Sequence, residues 1–234
     1  MHVVPGLPSS NHQFFICDAH TDTLSKMLKF GWSGLDDIPR NSHITLQRLR
    51  QSPVGLLVFA CFTEHDIPLY SSVVRTLKMI QKAYRITSRQ SEWMELASSY
   101  SEIRKARKAG KTAVVLSLEN GIAVQTDVEL LQVFHRLGIR LMSLTWNHRN
   151  RLGDGINKPR SKRGLTEQGR AVLAEMERLG ILIDVSHLNE HTFWDVLHAA
   201  TAPIIATHSN AMALCRHPRN LTDAQIKAIA ERGG

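Results

Sequence analysis

The sequence predicts an α/β fold, a TIM-type (β/α)8 barrel, with about six β/α units in 234 residues. Two observations predict it. Apolar runs of strand length alternate with helical patterns, as in a parallel sheet buried on both faces. Four of those runs end in a residue able to bind a metal ion. Phe14-Phe15-Ile16-Cys17 leads into Asp18-Ala19-His20-Thr21-Asp22, Ala113 to Leu118 ends in Glu119, Ile181 to Ser186 ends in His187, and Pro203 to Thr207 ends in His208. Barrel strands open on one mouth, so residues distant in sequence would gather there.

The elements follow in order. Strand one lies near 14–18 and strand two over Val54–Phe62. A long helix over roughly 69–87 is followed by a further helix near 90–98. The segment from Ser101 stays helical until Gly110, a candidate C-terminal stop. Strand three lies near 112–118, helix three over about 126–137 up to Gly138, and strand four over Arg140–Thr145. Residues 146–164 form a long polar loop, a length that often carries function. Thr166 caps a helix over about 167–179 that Gly180 ends. Strand five lies near 181–186, a helix runs from His191 to Ala200, and strand six lies near 203–207. A sixth helix starts at Thr222-Asp223 and ends near Arg232. A closed barrel has eight such units. Gly233-Gly234 after a helix reads as a turn into another strand, so the expectation is a single barrel domain over 1–234 that lacks about two units. An open doubly wound sheet of six strands is the alternative, and it gathers strand-end ligands less readily.

The ligand chemistry is specific. His20 and Asp22 are two apart, so a strand presents both on one face. A carboxylate such as Glu119 has two oxygens and can bridge two ions. Imidazole and carboxylate donors suit zinc or a similar divalent ion. Taken singly, each residue has a plainer reading as a cap, a loop group or a salt-bridge partner. With 12 histidines in the chain, some would fall at strand ends by chance; four ligand-type residues at four strand ends are harder to explain that way.

Composition narrows the class. The hydrophobic share of 43% and charged share of 21% are those of a globular protein. No apolar stretch is long enough to span a membrane. The start, Met1 to Gly6, lacks the pattern of a signal peptide. Cys17, Cys61 and Cys215 form no disulfide framework and are expected to stay reduced, in a bacterial cytoplasm. Much of the net charge of +8 lies in Arg149, Arg151, Lys158, Arg160, Lys162 and Arg163. That segment reads as a solvated loop sooner than an anion-attracting rim. No aromatic residues interleave with it, so no nucleic-acid partner is expected.

Several motifs together resemble the membrane dipeptidase (renal dipeptidase) family of zinc peptidases, peptidase family M19, in its bacterial branch. They are Asp18-Ala19-His20-Thr21-Asp22, Ser117-Leu118-Glu119-Asn120-Gly121, Leu144-Thr145-Trp146-Asn147, Gly164 to Gly169, Ile183 to His187, and Thr207-His208-Ser209-Asn210-Ala211. The resemblance implies two zinc ions. His20 and Asp22 would hold the first, His187 and His208 the second, and Glu119 would bridge them. Arg219 would hold the substrate's C-terminal carboxylate, a task its fork suits. The implied reaction is hydrolysis of dipeptides, including those with a C-terminal D-residue, by a metal-bridged hydroxide, with Glu119 and His148 as catalytic residues. Two positions depart from the family. Trp146 stands where a substrate-contacting histidine is expected, with His148 two residues on as the substitute. The family's acid at the end of strand eight is expected beyond Gly234, which leaves open the activity of the 234-residue chain alone. The expected partner is a small dipeptide, with no membrane; a homodimer is left open. The rival readings are another amidohydrolase-type metal hydrolase, acting on a cyclic amide, lactone or phosphoester, and a non-catalytic barrel remnant.

Overall fold

The computed structural model describes residues 14–157 and 161–234. The Met1–Gly6 start, and Lys158 and Arg160 of the basic segment, lie outside the described residues. The chain divides into two compact units, one of residues 1–61 and 77–116, the other of 62–76 and 117–234.

The first unit contains strand β1 (Ile16–Thr21), helix α1 (Thr23–Phe30), helix α2 (Leu46–Gln51) and nearly all of β2 (Val54–Phe62). It then takes most of α3 (Leu69–Arg89), β3 (Met94–Leu96), α4 (Tyr100–Lys108) and the start of β4 (Thr112–Glu119). β1 pairs parallel with β2, with Ile16 opposite Val54 and Thr21 opposite Phe59. Leu57 through Cys61 on β2 are buried, as are Met79, Ile80, Ala83 and Ile86 on α3. Burial pushes the Cys61 thiol up to about 12, so it stays protonated and acts as a small apolar filler.

One expectation fails here. The segment expected as a helix near 90–98 contains strand β3, which pairs parallel with β4 through Met94 opposite Thr112 and Leu96 opposite Val114. Its residues suit a helix locally. Only the ladder offered by β4 turns them into a strand, an override of local propensity by tertiary pairing. The helix after it starts at Tyr100, where Ser99 accepts from the Glu102 amide at 3.3 Å.

The second unit takes the end of β4, then α5 (Leu130–Arg136), β5 (Ile139–Ser143), α6 (Glu167–Leu179), β6 (Leu182–Asp184), α7 (Glu190–Ala199), β7 (Ile204–Ile205) and α8 (Asp223–Glu231). β5 pairs parallel with β6 and β6 with β7. Successive strands therefore lie side by side, the order that a barrel wall requires. The expected caps are in place. Thr166 accepts from Gly169 N at 2.9 Å, Gly180 closes α6 at φ 72°, and Thr222 and Gln225 form a capping box. Helix three is shorter than expected: residues 125–129 are bend and turn, and α5 starts only at Leu130.

Candidate metal centre

Three strand ends of the second unit converge. All eight residues of β4 are buried, ending in Glu119 at 5% exposure. Glu119 Oε1 lies 3.1 Å from His187 Nε2 and 3.8 Å from His208 Nε2, and the two Nε2 atoms are 2.8 Å apart.

The outer ring nitrogens settle what faces inward. His187 Nδ1 lies 2.7 Å from Asn147 Oδ1, which can only accept. His208 Nδ1 lies 2.7 Å from Thr207 Oγ1, and Thr207 donates its only hydroxyl proton to Asp184 Oδ2 at 2.6 Å. Both Nδ1 atoms therefore carry hydrogen, and each neutral ring turns an Nε2 lone pair toward the Glu119 carboxylate. Two lone pairs and a carboxylate oxygen at such distances repel one another unless a cation or a proton sits among them. The donor set thus fits a divalent metal, with outer partners of the kind that orient metal-bound histidines. Burial holds the His187 pKa below its ordinary value and outweighs the hydrogen bond that Glu119 offers the protonated ring, so the ring favours the neutral form a metal needs.

The backbone is bent to reach this arrangement. Asn120 and His187 both adopt φ 71°, unusual for residues with a side chain. Asn120 is pinned by donating Nδ2 to Thr63 O at 2.9 Å and by accepting from Asn150 Nδ2 at 3.0 Å.

The remaining expected residues fall as follows. His20 and Asp22 belong to the first unit, at the end of β1, with Nε2 4.0 Å from Oδ1. Arg219 is half-buried beside His208, donating Nη1 to Ser209 Oγ and Nη2 to the His208 carbonyl, each at 3.0 Å. Burial lowers its pKa against the opposing pull of Asp184 and Glu119. Arg219 and His187 line a small cavity of about 110 Å³. Of the two candidates after β5, Trp146 has its ring 6.2 Å from that of His187. His148 instead stacks on His65 at 3.7 Å and lies 3.1 Å from Asn157 Nδ2.

The long loop keeps Arg151, Lys162 and Arg163 exposed, as a solvated segment should, and departs from that reading at Arg149, which turns inward. Arg149 donates to the fully buried Asp154 at 2.5 Å, Ser161 donates to the other Asp154 oxygen, and Arg163 approaches to 3.9 Å. Burial alone would raise the Asp154 pKa; the Ser161 and Arg149 hydrogen bonds and the arginine charges hold it below the ordinary carboxylate value. Sequence reasoning assigned no role to Asp154, Asn147, Asp184 or Thr207. The available signal was polar residues placed inside or directly after buried apolar runs, where each needs a partner.

Comparison with known proteins agrees with the geometry. A Klebsiella pneumoniae protein from the region 5′ of pqqA is 40% identical over 146 residues, 60% of this chain and 54% of that protein. A Schizosaccharomyces pombe protein described as a dipeptidase is 32% identical over 206 residues, 82% of this chain and 50% of its own length. The chain thus spans about half the length of the curated relatives it matches. A Rhodobacter sphaeroides metallopeptidase, crystallised with a phosphinate mimic of the dipeptide L-Ala-D-Ala, superposes with a TM-score of 0.86 at 27% identity, over 94% of this chain and 71% of that one. The expected fold class, α/β of the TIM-barrel type, therefore holds. Matched over residues 10–234 by the profile of "Membrane dipeptidase (Peptidase family M19)", the chain belongs to that family.

Proposed function

We propose that the chain carries the zinc site of a dipeptidase that hydrolyses dipeptides, including those with a C-terminal D-residue. The observation that carries this reading is the inward turn of two histidine lone pairs onto the buried Glu119. His187 and His208 would hold one ion, His20 and Asp22 the other, and Glu119 both. When bound, the ions supply Lewis acidity and an acidified water.

The chain's own residues do the rest. Asn147 and the Thr207–Asp184 pair keep the histidine tautomers correct. Arg219 is tied at two nitrogens and keeps further N–H groups for a substrate carboxylate. Trp146, edge-on to Phe62 at 5.2 Å, supplies a rigid wall, while His148 is held for a polar contact with substrate. The D-residue part is supported by the ligand of the Rhodobacter sphaeroides relative.

The test is release of free alanine from L-Ala-D-Ala and L-Ala-L-Ala by the purified protein. Turnover should vanish with a chelator and return with zinc. Hydrolysis of a lactone or phosphoester panel with no dipeptide turnover would move the assignment to another metal-dependent hydrolase. Absence of zinc binding would leave the non-catalytic reading.

A further inference from the structure

The first unit has a second feature that the dipeptidase reading does not use. At the N-terminal ends of its strands, bounded by Phe15, Val54, Met94 and Thr112, is a cavity of about 810 Å³. Its lining includes Arg50, Arg104, Arg107, Lys108 and Lys111 and, among the described residues, no carboxylate. Lys111 is matched by Glu95 at 3.6 Å; among the described residues, no carboxylate pairs with the other four. Residues 1–13, which precede Phe14, contain no Asp or Glu. Four uncompensated cations around one concavity focus a positive field on whatever enters it.

Two of the arginines are held in place. The Arg50 guanidinium lies over the Trp93 ring at 4.3 Å and donates Nη2 to Gln90 Oε1 at 3.3 Å. Its Nε is buried with no acceptor among the described residues. Arg107 lies over the Phe15 ring at 4.8 Å. Phe15 can cross β2 there only because residue 55 is glycine: a Cβ on Gly55 would meet the ring at 2.1 Å. Stacking fixes each guanidinium plane and leaves edge N–H groups for an anion. Phe14, Phe15 and Tyr100 give the cavity an apolar wall, and its volume is in the range of small-molecule sites, roughly 300–1,000 Å³.

We propose that this cavity binds a phosphorylated small molecule of mononucleotide size, its phosphates on Arg50 and Arg107 and its flat apolar part against the aromatic wall. A lone carboxylate would offset one charge of four; a phosphate chain offsets more and matches the arginine forks.

Calorimetric titration of the full chain with ADP, inorganic phosphate and adenosine tests this. ADP should bind one to one and more weakly as salt rises, with phosphate and adenosine each weaker by about tenfold or more. Arg50→Ala and Arg107→Ala should each weaken ADP by about tenfold or more, whereas Lys111→Ala, whose charge is already matched, should change it by less than about twofold. Arg107 is exposed on α4, so Arg107→Gln provides a variant expected to fold even if Arg50→Ala does not. Undetectable ADP binding at millimolar concentration by folded protein overturns the proposal, as does ADP binding that both arginine variants leave intact. Inorganic phosphate binding as tightly as ADP would overturn the nucleotide-sized ligand.

Discussion

Asp184→Asn should cost metal affinity at least as much as it costs the fold. Asp184 is buried at 5% exposure. Its Oδ1 accepts from Ser186 N at 2.9 Å and Thr207 N at 3.1 Å, and its Oδ2 from Thr207 Oγ1 at 2.6 Å. An asparagine can keep the two amide bonds through its carbonyl oxygen. Its NH2 would then face Thr207 Oγ1 and donate to it. The Thr207 proton must go elsewhere, and the nearest acceptor is His208 Nδ1, 2.7 Å away. His208 would become an Nδ1 acceptor with its proton on Nε2, the tautomer that cannot bind a metal through Nε2.

One charge-assisted hydrogen bond is lost and a neutral one gained, so the fold should lose about 1–2 kcal/mol. The metal should bind roughly 10–100-fold more weakly, as for other outer partners of metal-bound histidines. Zinc competition against a chromophoric chelator reads the affinity, urea unfolding reads the fold, and histidine nitrogen NMR reads the tautomer. Thr207→Val, which removes the acceptor itself, should weaken zinc in the same direction. Wild-type zinc affinity in Asp184→Asn, with the His208 proton still on Nδ1, would refute the relay.

On the proposed bridging role, Glu119→Gln should release both ions or abolish most turnover, because a neutral amide would supply too little charge to hold two dications about 3.5–4 Å apart; metal analysis of the dialysed variant checks it. Arg219→Ala should leave zinc content intact and raise KM for free dipeptides by a loss of roughly 2–5 kcal/mol, with amidated dipeptides much less affected; equal loss for both would make Arg219 structural. In metal-free protein, the lowered folded pKa of His187 means the unfolded chain takes up its proton first. Its contribution to stability should be full above about pH 6.5 and fall as pH drops through the folded value; urea midpoints at descending pH should show that slope, and His187→Asn should flatten it. Asp154→Ala should destabilise by about 3 kcal/mol, the low end for breaking a buried pair, because Arg149 keeps partial access to water. The depressed Asp154 pKa places its stabilisation above about pH 4, lost as pH falls through the folded value, which acid unfolding of wild type and variant should reveal as a difference that closes at low pH.

The strands that end in the candidate ligands were legible where they are long, buried apolar runs ending in a polar residue: β4 shows seven buried positions and then the buried Glu119. Helix ends were legible where capping is local, as at Thr166 and Gly180. β3 was not, since its three residues become a strand only opposite Thr112 to Val114. The role of the 146–164 loop was half legible. Its length marked it as functional, but no local pattern tells that Arg149 turns inward onto Asp154. Nor does sequence say that Gly155 is required by the Trp146 carbonyl, which a Cβ there would meet at 2.1 Å.

Backbone strain joins these observations. A ligand at a strand end must turn its side chain into the mouth while the chain leaves for the next helix. At Glu119 the turn is made by Asn120 and at His187 by the residue itself, both at φ 71°. Such conformations persist where surrounding contacts over-determine them. For Asn120 those contacts are Thr63 and Asn150. For His187 they are Asn147 on the ring and the carbonyl bonds to Ile156 N at 3.1 Å and Thr145 Oγ1 at 3.5 Å. Asn147, Asn150 and Ile156 all come from the loop that Asp154 organises. The buried Asp154 charge therefore acts on the metal site at one remove: it fixes the loop, and the loop holds two strained strand ends in the geometry that lets Glu119 and His187 meet.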